Sequence, residues 1–115
     1  MRFLALCALL ASGLSGCSGD QEIESPSPLS ASVPIDYPLD LWDQGIEGSS
    51  MLKVRVTDMG DVDSVIIMES SGYAAFDSSA VRGARTLRFI PARRGDKRIE
   101  VWAHVPVHFS KKPRP

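Results

Sequence analysis

The feature that most restricts the fold is an alternation of apolar and polar residues near the C-terminus. One side carries Val101, Ala103, Val105, Val107 and Phe109, and the other carries Glu100, Trp102, His104, Pro106 and His108. Successive side chains of a strand point to opposite faces, so residues 99–109 predict a strand with one face on a core and the other facing water or a partner. Pro106 has no N–H to donate, which favours a strand with an unpaired edge.

Residues 50–57 and 62–70 alternate as well, and Gly60 between them suits a tight turn. Together they predict a β-hairpin. Apolar side chains then recur at helical spacing, which predicts a helix over residues 77–87. The stripe on that helix consists of Phe76, Ala80, Ala84 and Leu87.

A short helix is predicted over residues 39–44, because Pro38 suits a helix start and Gly45 suits its end. Asp77 and Ser78 are placed to accept hydrogen bonds from the first amides of the longer helix. The sequence therefore predicts an α+β fold. A three-stranded antiparallel sheet has its last strand at an edge and is covered on one face by the longer helix, with a short N-terminal helix.

Residues 1–16 have the pattern of a secretory signal, with Arg2, a short apolar run and then small residues. The run is too short for a membrane span, which takes about 20 apolar residues. It ends in Leu14-Ser15-Gly16-Cys17, which resembles the lipobox of bacterial lipoproteins. The resemblance implies cleavage before Cys17 and a lipid on its sulfur. Cys7 leaves with the signal, so no thiol remains for a disulfide, a metal site or a nucleophile.

Residues 17–33 are acidic and rich in Pro and Ser, and we expect a flexible, lipid-anchored tether. Ser18 stands where an aspartate retains lipoproteins in the inner membrane of enteric bacteria. We therefore expect a chain in the cell envelope that faces the periplasm, with the outer membrane favoured. Basic residues predominate towards the C-terminus, including the tail at 111–115. An exported protein argues against nucleic acid as the partner of these cations.

His104 and His108 share one face of the last strand and invite a metal-site hypothesis. Four strand residues separate their Cα atoms by about 13–14 Å, which is too far for both to bind one ion. No nucleophile–base pair, phosphate-binding glycine loop or paired carboxylates stand out. The sequence therefore predicts a protein that is not an enzyme and holds no metal or cofactor.

Short motifs along residues 34–110 resemble, in order and spacing, the TonB C-terminal domain family. They are Tyr37-Pro38, Gly45-Ile46-Glu47-Gly48, Asp61-Val62, Ser70-Ser71-Gly72, Phe76-Asp77, Ala80, Arg88-Phe89, Pro91-Ala92 and Val105-Pro106-Val107. The resemblance implies a module that captures the TonB box of outer-membrane receptors by adding a strand to its own last strand, in transport such as siderophore uptake. The implied partner-binding residues are Tyr37, Pro38, Arg88, Phe89, Glu100, Trp102, His104 and Pro106.

The chain departs from the family in three places. Leu87 stands where many members have Trp, and residues 33–36 lack the Gln that precedes Tyr-Pro in the best-known members. The motor-coupling helix and long Pro-rich spacer of family transducers are replaced by the lipobox and a short tether. We therefore expect an accessory capture module. The alternative is an envelope lipoprotein that homodimerises through the same edge strand and its exposed Trp102.

Overall fold

The computed structural model describes residues 22–111. The signal peptide predicted for residues 1–16, the predicted lipid site Cys17 and residues 112–115 of the tail lie outside this range. Within it the elements are β1 (Ile23–Glu24), β2 (Ser27–Pro28), α1 (Leu39–Asp43), β3 (Gly48–Val56), β4 (Val62–Glu69), α2 (Ala74–Arg85), β5 (Phe89–Ile90), β6 (Ala92–Arg94), β7 (Lys97–Ile99) and β8 (Val101–Phe109).

The main sheet is antiparallel and has the strand order β4-β3-β8. The central strand β3 pairs with β8 without a register shift, from Gly48 opposite Phe109 to Val56 opposite Val101. On its other side β8 pairs with no further strand in the described part of the chain. The predicted three-stranded sheet with its last strand at an edge is confirmed.

Helix α2 packs on one face of this sheet and closes the core. All four residues of the predicted stripe are buried, as are the alternating inward residues of β3 and the last three inward residues of β8. The core comprises Leu41, Leu52, Val54, Val56, Phe76, Ala80, Ala84, Leu87, Phe89, Val105, Val107 and Phe109. The predicted covering helix is thus confirmed.

Helix α1 differs from its predicted bounds at one end, and α2, which ends at Arg85 instead of residue 87, differs at both. Helix α1 stops at Asp43, and Gly45 with φ of 71° follows it, as expected for a glycine that ends a helix. Helix α2 begins at Ala74, three residues before the predicted start, and Tyr73 precedes it without a side-chain cap. The predicted capping role of Asp77 and Ser78 is wrong because both residues lie inside the helix, where the Asp77 carboxylate accepts hydrogen bonds from Ser70 and Ser71.

The segment predicted to be a flexible tether is paired over part of its length. Strand β1 pairs antiparallel with β6, and β2 with β5. The Leu29 amide also donates to the Arg88 carbonyl at 2.9 Å. All four residues of β1 and β2 are exposed. Because backbone hydrogen bonds hold this segment, its polar side chains did not predict the strand pairing.

The basic segment around Gly95 is a hairpin. Strands β6 and β7 pair Ala92 with Ile99 and Arg94 with Lys97, and Gly95 turns between them with φ of 64°. Because β1 adds to β6, the order of this small sheet is β1-β6-β7.

Candidate functional site

The candidate site is the free edge of β8. This strand has nine residues, which at about 3.4 Å per step gives about 27 Å of edge. Its polar side is exposed at Trp102, His104, Pro106 and His108, and the inward side is buried at Val105, Val107 and Phe109. A core therefore fixes one face of the strand while its outer backbone edge stays available for pairing.

Trp102 is 43% exposed and lies against cations from the neighbouring strand. It stands opposite Arg55 in the register of β3 and β8. The Lys53 Nζ lies 5.1 Å, and the Arg55 Cζ 5.9 Å, from the centroid of the indole ring. Such contacts contribute about 0.5–1 kcal/mol at exposed sites. They hold the indole on the open face of the sheet, next to the β8 edge.

Arg55 also fixes the charges at the start of β8. Its Nε and Nη2 donate to the two carboxylate oxygens of Asp63 at 2.8 and 2.9 Å, and its Nε lies 3.9 Å from Glu100 Oε2. The hydrogen bond from Arg55 lowers the pKa of Asp63, and the bond to Asp63 raises the pKa of Arg55. Arg55 is thus already paired with Asp63. Glu100 contacts Arg55 only at 3.9 Å, so its carboxylate is still able to accept hydrogen bonds from a partner.

At the other end of β8, Tyr37 belongs to an aromatic cluster. Its ring centroid lies 4.9 Å from Trp42, 5.4 Å from Phe76 and 5.8 Å from Phe109, each in an edge-to-face arrangement. Its hydroxyl donates to the carbonyl of Ile46. Burial, with a smaller contribution from Glu47, raises the pKa of the Tyr37 phenol. Tyr37 and the half-buried Pro38 therefore frame the Phe109 end of the strand rather than standing free for a ligand.

Helix α2 holds the segment that carries Tyr37. The Ser79 hydroxyl is buried, donates to the Asp36 carbonyl and accepts from the Asp36 amide at 3.2 Å. One turn later, a Cβ on Gly83 would lie 2.1 Å from the Pro34 carbonyl oxygen. Gly83 therefore permits the close approach of residues 33–36 to the helix, at the place where the family's glutamine is missing.

Arg88 and Phe89 lie at the Val101 end. Phe89 is 6% exposed, and its amide donates to the Gly60 carbonyl at 2.9 Å. The Arg88 Nε lies 3.2 Å from Asp61 Oδ1. Both residues fasten the turn between β3 and β4, so any role of Phe89 in binding is to shape this end of the sheet.

The predicted partner-binding residues thus form three groups. Trp102, His104 and Pro106 lie along β8, and Glu100 directly precedes it, whereas Tyr37-Pro38 and Arg88-Phe89 stand at the opposite ends of the strand. The structure adds Lys53 and Arg55, which the sequence analysis did not select. Their signal was present, because they alternate with the buried residues of β3 and fall on the face that carries Trp102.

Asp77 is the centre of a network that the sequence analysis also missed. Its Oδ1 accepts from the Ser50 hydroxyl at 2.8 Å and from the Ser71 amide at 2.9 Å, and its Oδ2 accepts from the Ser70 hydroxyl. Burial raises the pKa of Asp77, but these hydrogen bonds and one from the Ser71 hydroxyl outweigh it and lower the pKa to about 2. The network ties the end of the β3–β4 hairpin to α2.

In the described range, no group of three or more His, Cys, Asp or Glu side chains is placed to hold a metal ion. Among residues 22–111, no helix is long and apolar enough to cross a membrane.

Residues 33–110 match the family described as Gram-negative bacterial TonB protein C-terminal. The chain is 36% identical to protein tonB2 of Pseudomonas aeruginosa over 74 residues, which cover 64% of this chain and 27% of that protein. It is 28% identical to protein TonB of Vibrio cholerae over 87 residues, which cover 76% of this chain and 36% of that protein. The chain therefore spans only about a quarter to a third of the length of these relatives.

The fold is similar to the solution NMR structure of the Pseudomonas aeruginosa TonB CTD. The TM-score is 0.62 at 26% sequence identity, and the match covers 79% of this chain and 91% of that one. In residues 33–110 the sequence and the fold point to the same family.

Proposed function

Because this chain belongs to the family of Gram-negative bacterial TonB protein C-terminal domains, we propose that it captures an extended segment of an outer-membrane TonB-dependent receptor on the free edge of β8. The observation that carries this proposal is the pairing of β8, which bonds to β3 along its whole length and to no other strand in the described residues. In strand addition, backbone hydrogen bonds supply the affinity and alternate side chains supply the specificity.

The opposite edge of the main sheet is a poorer template. The pairing of β3 with β4 shifts register between Met51 and Leu52 and again between Arg55 and Val56. Both shifts leave an extra residue on β4, and one of the two, Asp63, is held by Arg55. Bulges of this kind twist an edge and protect it from further pairing. The straight register of β8 therefore favours capture on that side.

Trp102 and Glu100 are the side chains best placed to select a partner. Trp102 presents a half-exposed indole beside the edge, and Glu100 presents an acceptor at the start of the strand. Pro106 has no amide hydrogen to donate to a neighbouring strand. We propose that His104 and Pro106 contact alternate side chains of the added segment, and that Tyr37, Pro38, Arg88 and Phe89 keep the ends of the template in shape.

We further propose that residues 1–16 are a signal peptide and that Cys17 anchors the chain by lipid, with the outer membrane favoured. The chain then acts as an accessory module that holds or hands over receptor segments, and it performs no enzymatic chemistry. The support for the anchor is Leu14-Ser15-Gly16-Cys17 after a short apolar run.

The test is calorimetric titration of the full mature chain with a synthetic TonB-box peptide. Two further peptides carry N-methyl groups on alternate amides, one in each phase. Strand addition predicts that one phase abolishes binding and the other leaves it nearly unchanged, since only every second amide faces β8. A mature chain that is folded by circular dichroism and binds no TonB-box peptide contradicts the proposal.

A matched pair of variants locates the site on β8. Trp102→Ala removes the indole beside the edge. It is expected to lower the affinity for the peptide roughly tenfold, as for an aromatic residue central to an interface. Arg82→Ala removes an exposed side chain from α2 and is expected to leave affinity unchanged. Equal losses in the two variants contradict capture on β8.

The second candidate function is homodimerisation through the same edge. Its support is that Trp102 is exposed and that two β8 edges can pair about a two-fold axis. Sedimentation of the mature chain in detergent distinguishes the two functions. A stable dimer that Trp102→Ala dissociates and that TonB-box peptide does not compete away favours dimerisation over capture.

A further inference from the structure

We infer that one face of the β1-β6-β7 sheet, carrying Ile23, Arg94 and Lys97, lies on the anionic phospholipid surface of the membrane that holds Cys17. The inference rests on the lipid anchor proposed above and adds the orientation of the domain on its membrane. It uses none of the residues proposed for capture.

The register of the small sheet sorts its side chains into two faces. Ile23 lies opposite Arg94, and Arg94 lies opposite Lys97. Neighbours across a sheet share a face, so these three side chains form one row. Ala92 and Ile99 belong to the same face, and Ala92 is fully buried. The hairpin thus leaves the core at Ala92 and presents its exposed row at the tip.

The other face carries one carboxylate and two guanidinium groups. Glu24 lies opposite Arg93, and Arg93 lies opposite Arg98. An Nη2 of Arg93 also donates to the Asp96 carbonyl at 3.1 Å. None of the cations on either face forms an ion pair within residues 22–111. The row of Arg94 and Lys97 differs because its third member is not an acid but an isoleucine that is 49% exposed. Two unpaired cations beside an exposed apolar side chain are typical of a surface that meets anionic lipid.

The pairing of β1 brings this row close to the proposed anchor. Six Cα steps separate Cys17 from Ile23, and at about 3.5 Å each they reach at most about 21 Å. If the whole of residues 17–33 were free, the folded domain would begin at residue 34, eleven residues farther along the chain than Ile23. Since β1 is bound to β6, the hairpin and not residue 34 is the first folded part beyond the membrane. The lipid therefore keeps the tip of the hairpin at the surface.

The charge of the membrane then selects the face. Each Lys or Arg close to an anionic leaflet favours the bound orientation about fivefold, and the effect falls off within a Debye length of about 8–10 Å. Arg94 and Lys97 together favour docking of their row about 25-fold over an uncharged face. The face with Glu24 has a net charge of +1 and gains about fivefold from the same surface.

The experiment uses the lipidated mature chain, purified from membranes and placed in nanodiscs with isoleucine methyl labels and a nitroxide on the lipid headgroup. One set of nanodiscs contains phosphatidylglycerol, and the other contains phosphatidylcholine alone. Ile23 is broadened whichever face docks, because it is near the anchor. Ile99 on the cationic face is the reporter, and Ile66 on β4 is the reference. We expect Ile99 to lose several times more intensity than Ile66, and only on anionic discs.

A matched pair of variants tests the cations. R94Q/K97Q is expected to lower the ratio of docked to free domain about 25-fold and to restore the Ile99 signal. R82Q/R85Q removes the same charge from α2 and is expected to leave the Ile99 signal broadened. Equal effects of the two variants, or equal broadening of Ile99 and Ile66, overturn the proposal.

Two further outcomes separate this proposal from its premises. An unmodified Cys17 in the mass spectrum of the mature chain overturns the anchor and the docking together. A sharp Ile99 signal on anionic discs that shifts when a glutamate-rich peptide is added assigns the face to an acidic protein segment and overturns lipid docking. If the TonB-box peptide does not bind at β8, peptide capture is contradicted, but the result for membrane docking is unaffected.

Discussion

Two regions of this molecule pair strands in opposite ways. Strand β8 has nine residues, a buried inner face and a register without shifts against β3. Strands β1 and β2 have two residues each, and all four side chains are exposed. Burial of apolar area stabilises β8, whereas β1 and β2 depend on backbone hydrogen bonds, whose net contribution is about 0.5–1.5 kcal/mol each. Strand β8 (Val101–Phe109) is therefore a firmly held template. The pairing of β1 and β2 with the rest of the domain is an attachment that opens easily.

The largest test removes the support of the template. Phe76 is fully buried and stacks on Phe109 with 4.3 Å between ring centroids. Phe76→Ala is expected to lower the free energy of unfolding by about 3–5 kcal/mol through lost contacts and a cavity. Urea denaturation followed by circular dichroism measures it. Ile23→Ala, in β1, is the control, and a comparable loss there contradicts the contrast between the two regions.

The next test concerns the junction between the regions. Gly83→Ala introduces a Cβ that would lie 2.1 Å from the Pro34 carbonyl oxygen. Alanine favours helix by about 1 kcal/mol over glycine, yet we expect a net loss of roughly 1–3 kcal/mol because residues 33–36 must move away. Thermal unfolding measures the loss. A gain in stability, as at an exposed helical glycine, contradicts the close approach.

The Asp77 network predicts a dependence on pH. The pKa of this carboxyl is lowered to about 2 from 3.8, so its contribution is complete above pH 4 and is lost as the pH falls towards 2. We expect about 1 kcal/mol of lost stability over that range, because water screens a carboxylate that is partly exposed. Urea titrations at stepped pH measure it. Asp77→Asn should flatten the loss, and an unchanged slope in that variant contradicts the assignment.

The smallest test affects only the attachment. Leu29→Pro removes the amide that donates to the Arg88 carbonyl, at a residue whose side chain is 62% exposed. We expect a change in global stability below about 0.5 kcal/mol, together with faster hydrogen exchange of the amides in β1 and β2. A drop in stability as large as that of Gly83→Ala would show that the attachment belongs to the core.

The sequence predicted the parts of the fold that carry a side-chain period. The alternation ending at Phe109 located β8 and its edge position, and the stripe containing Ala80 and Ala84 located α2. Strands β1 and β2 left no such trace, because their exposed side chains follow no period and only their backbone is bonded. The Asp77 network was missed for another reason, since Ser50 lies 27 positions away and only the fold brings the two together.

The candidate site was predictable to a similar extent. The residues along β8 follow from its alternation, but the roles of Tyr37 and Phe89 depend on packing. Tyr37 packs among three aromatic rings and Phe89 is buried, so both support β8 by packing and do not contact a ligand directly. No local pattern distinguishes an aromatic residue that frames a site from one that contacts a ligand.

The order of the elements has a mechanical consequence. Any tension between the N-terminus and a segment held on β8 reaches β1 and β2 before it reaches the main sheet. The two-residue pairings of β1 and β2 have far fewer backbone hydrogen bonds to break than the nine-residue register of β8. Once released, residues 22–32 extend to at most about 39 Å at about 3.5 Å per residue, up to Val33, which packs against the core. The N-terminal segment therefore lengthens under tension before β8 is disturbed.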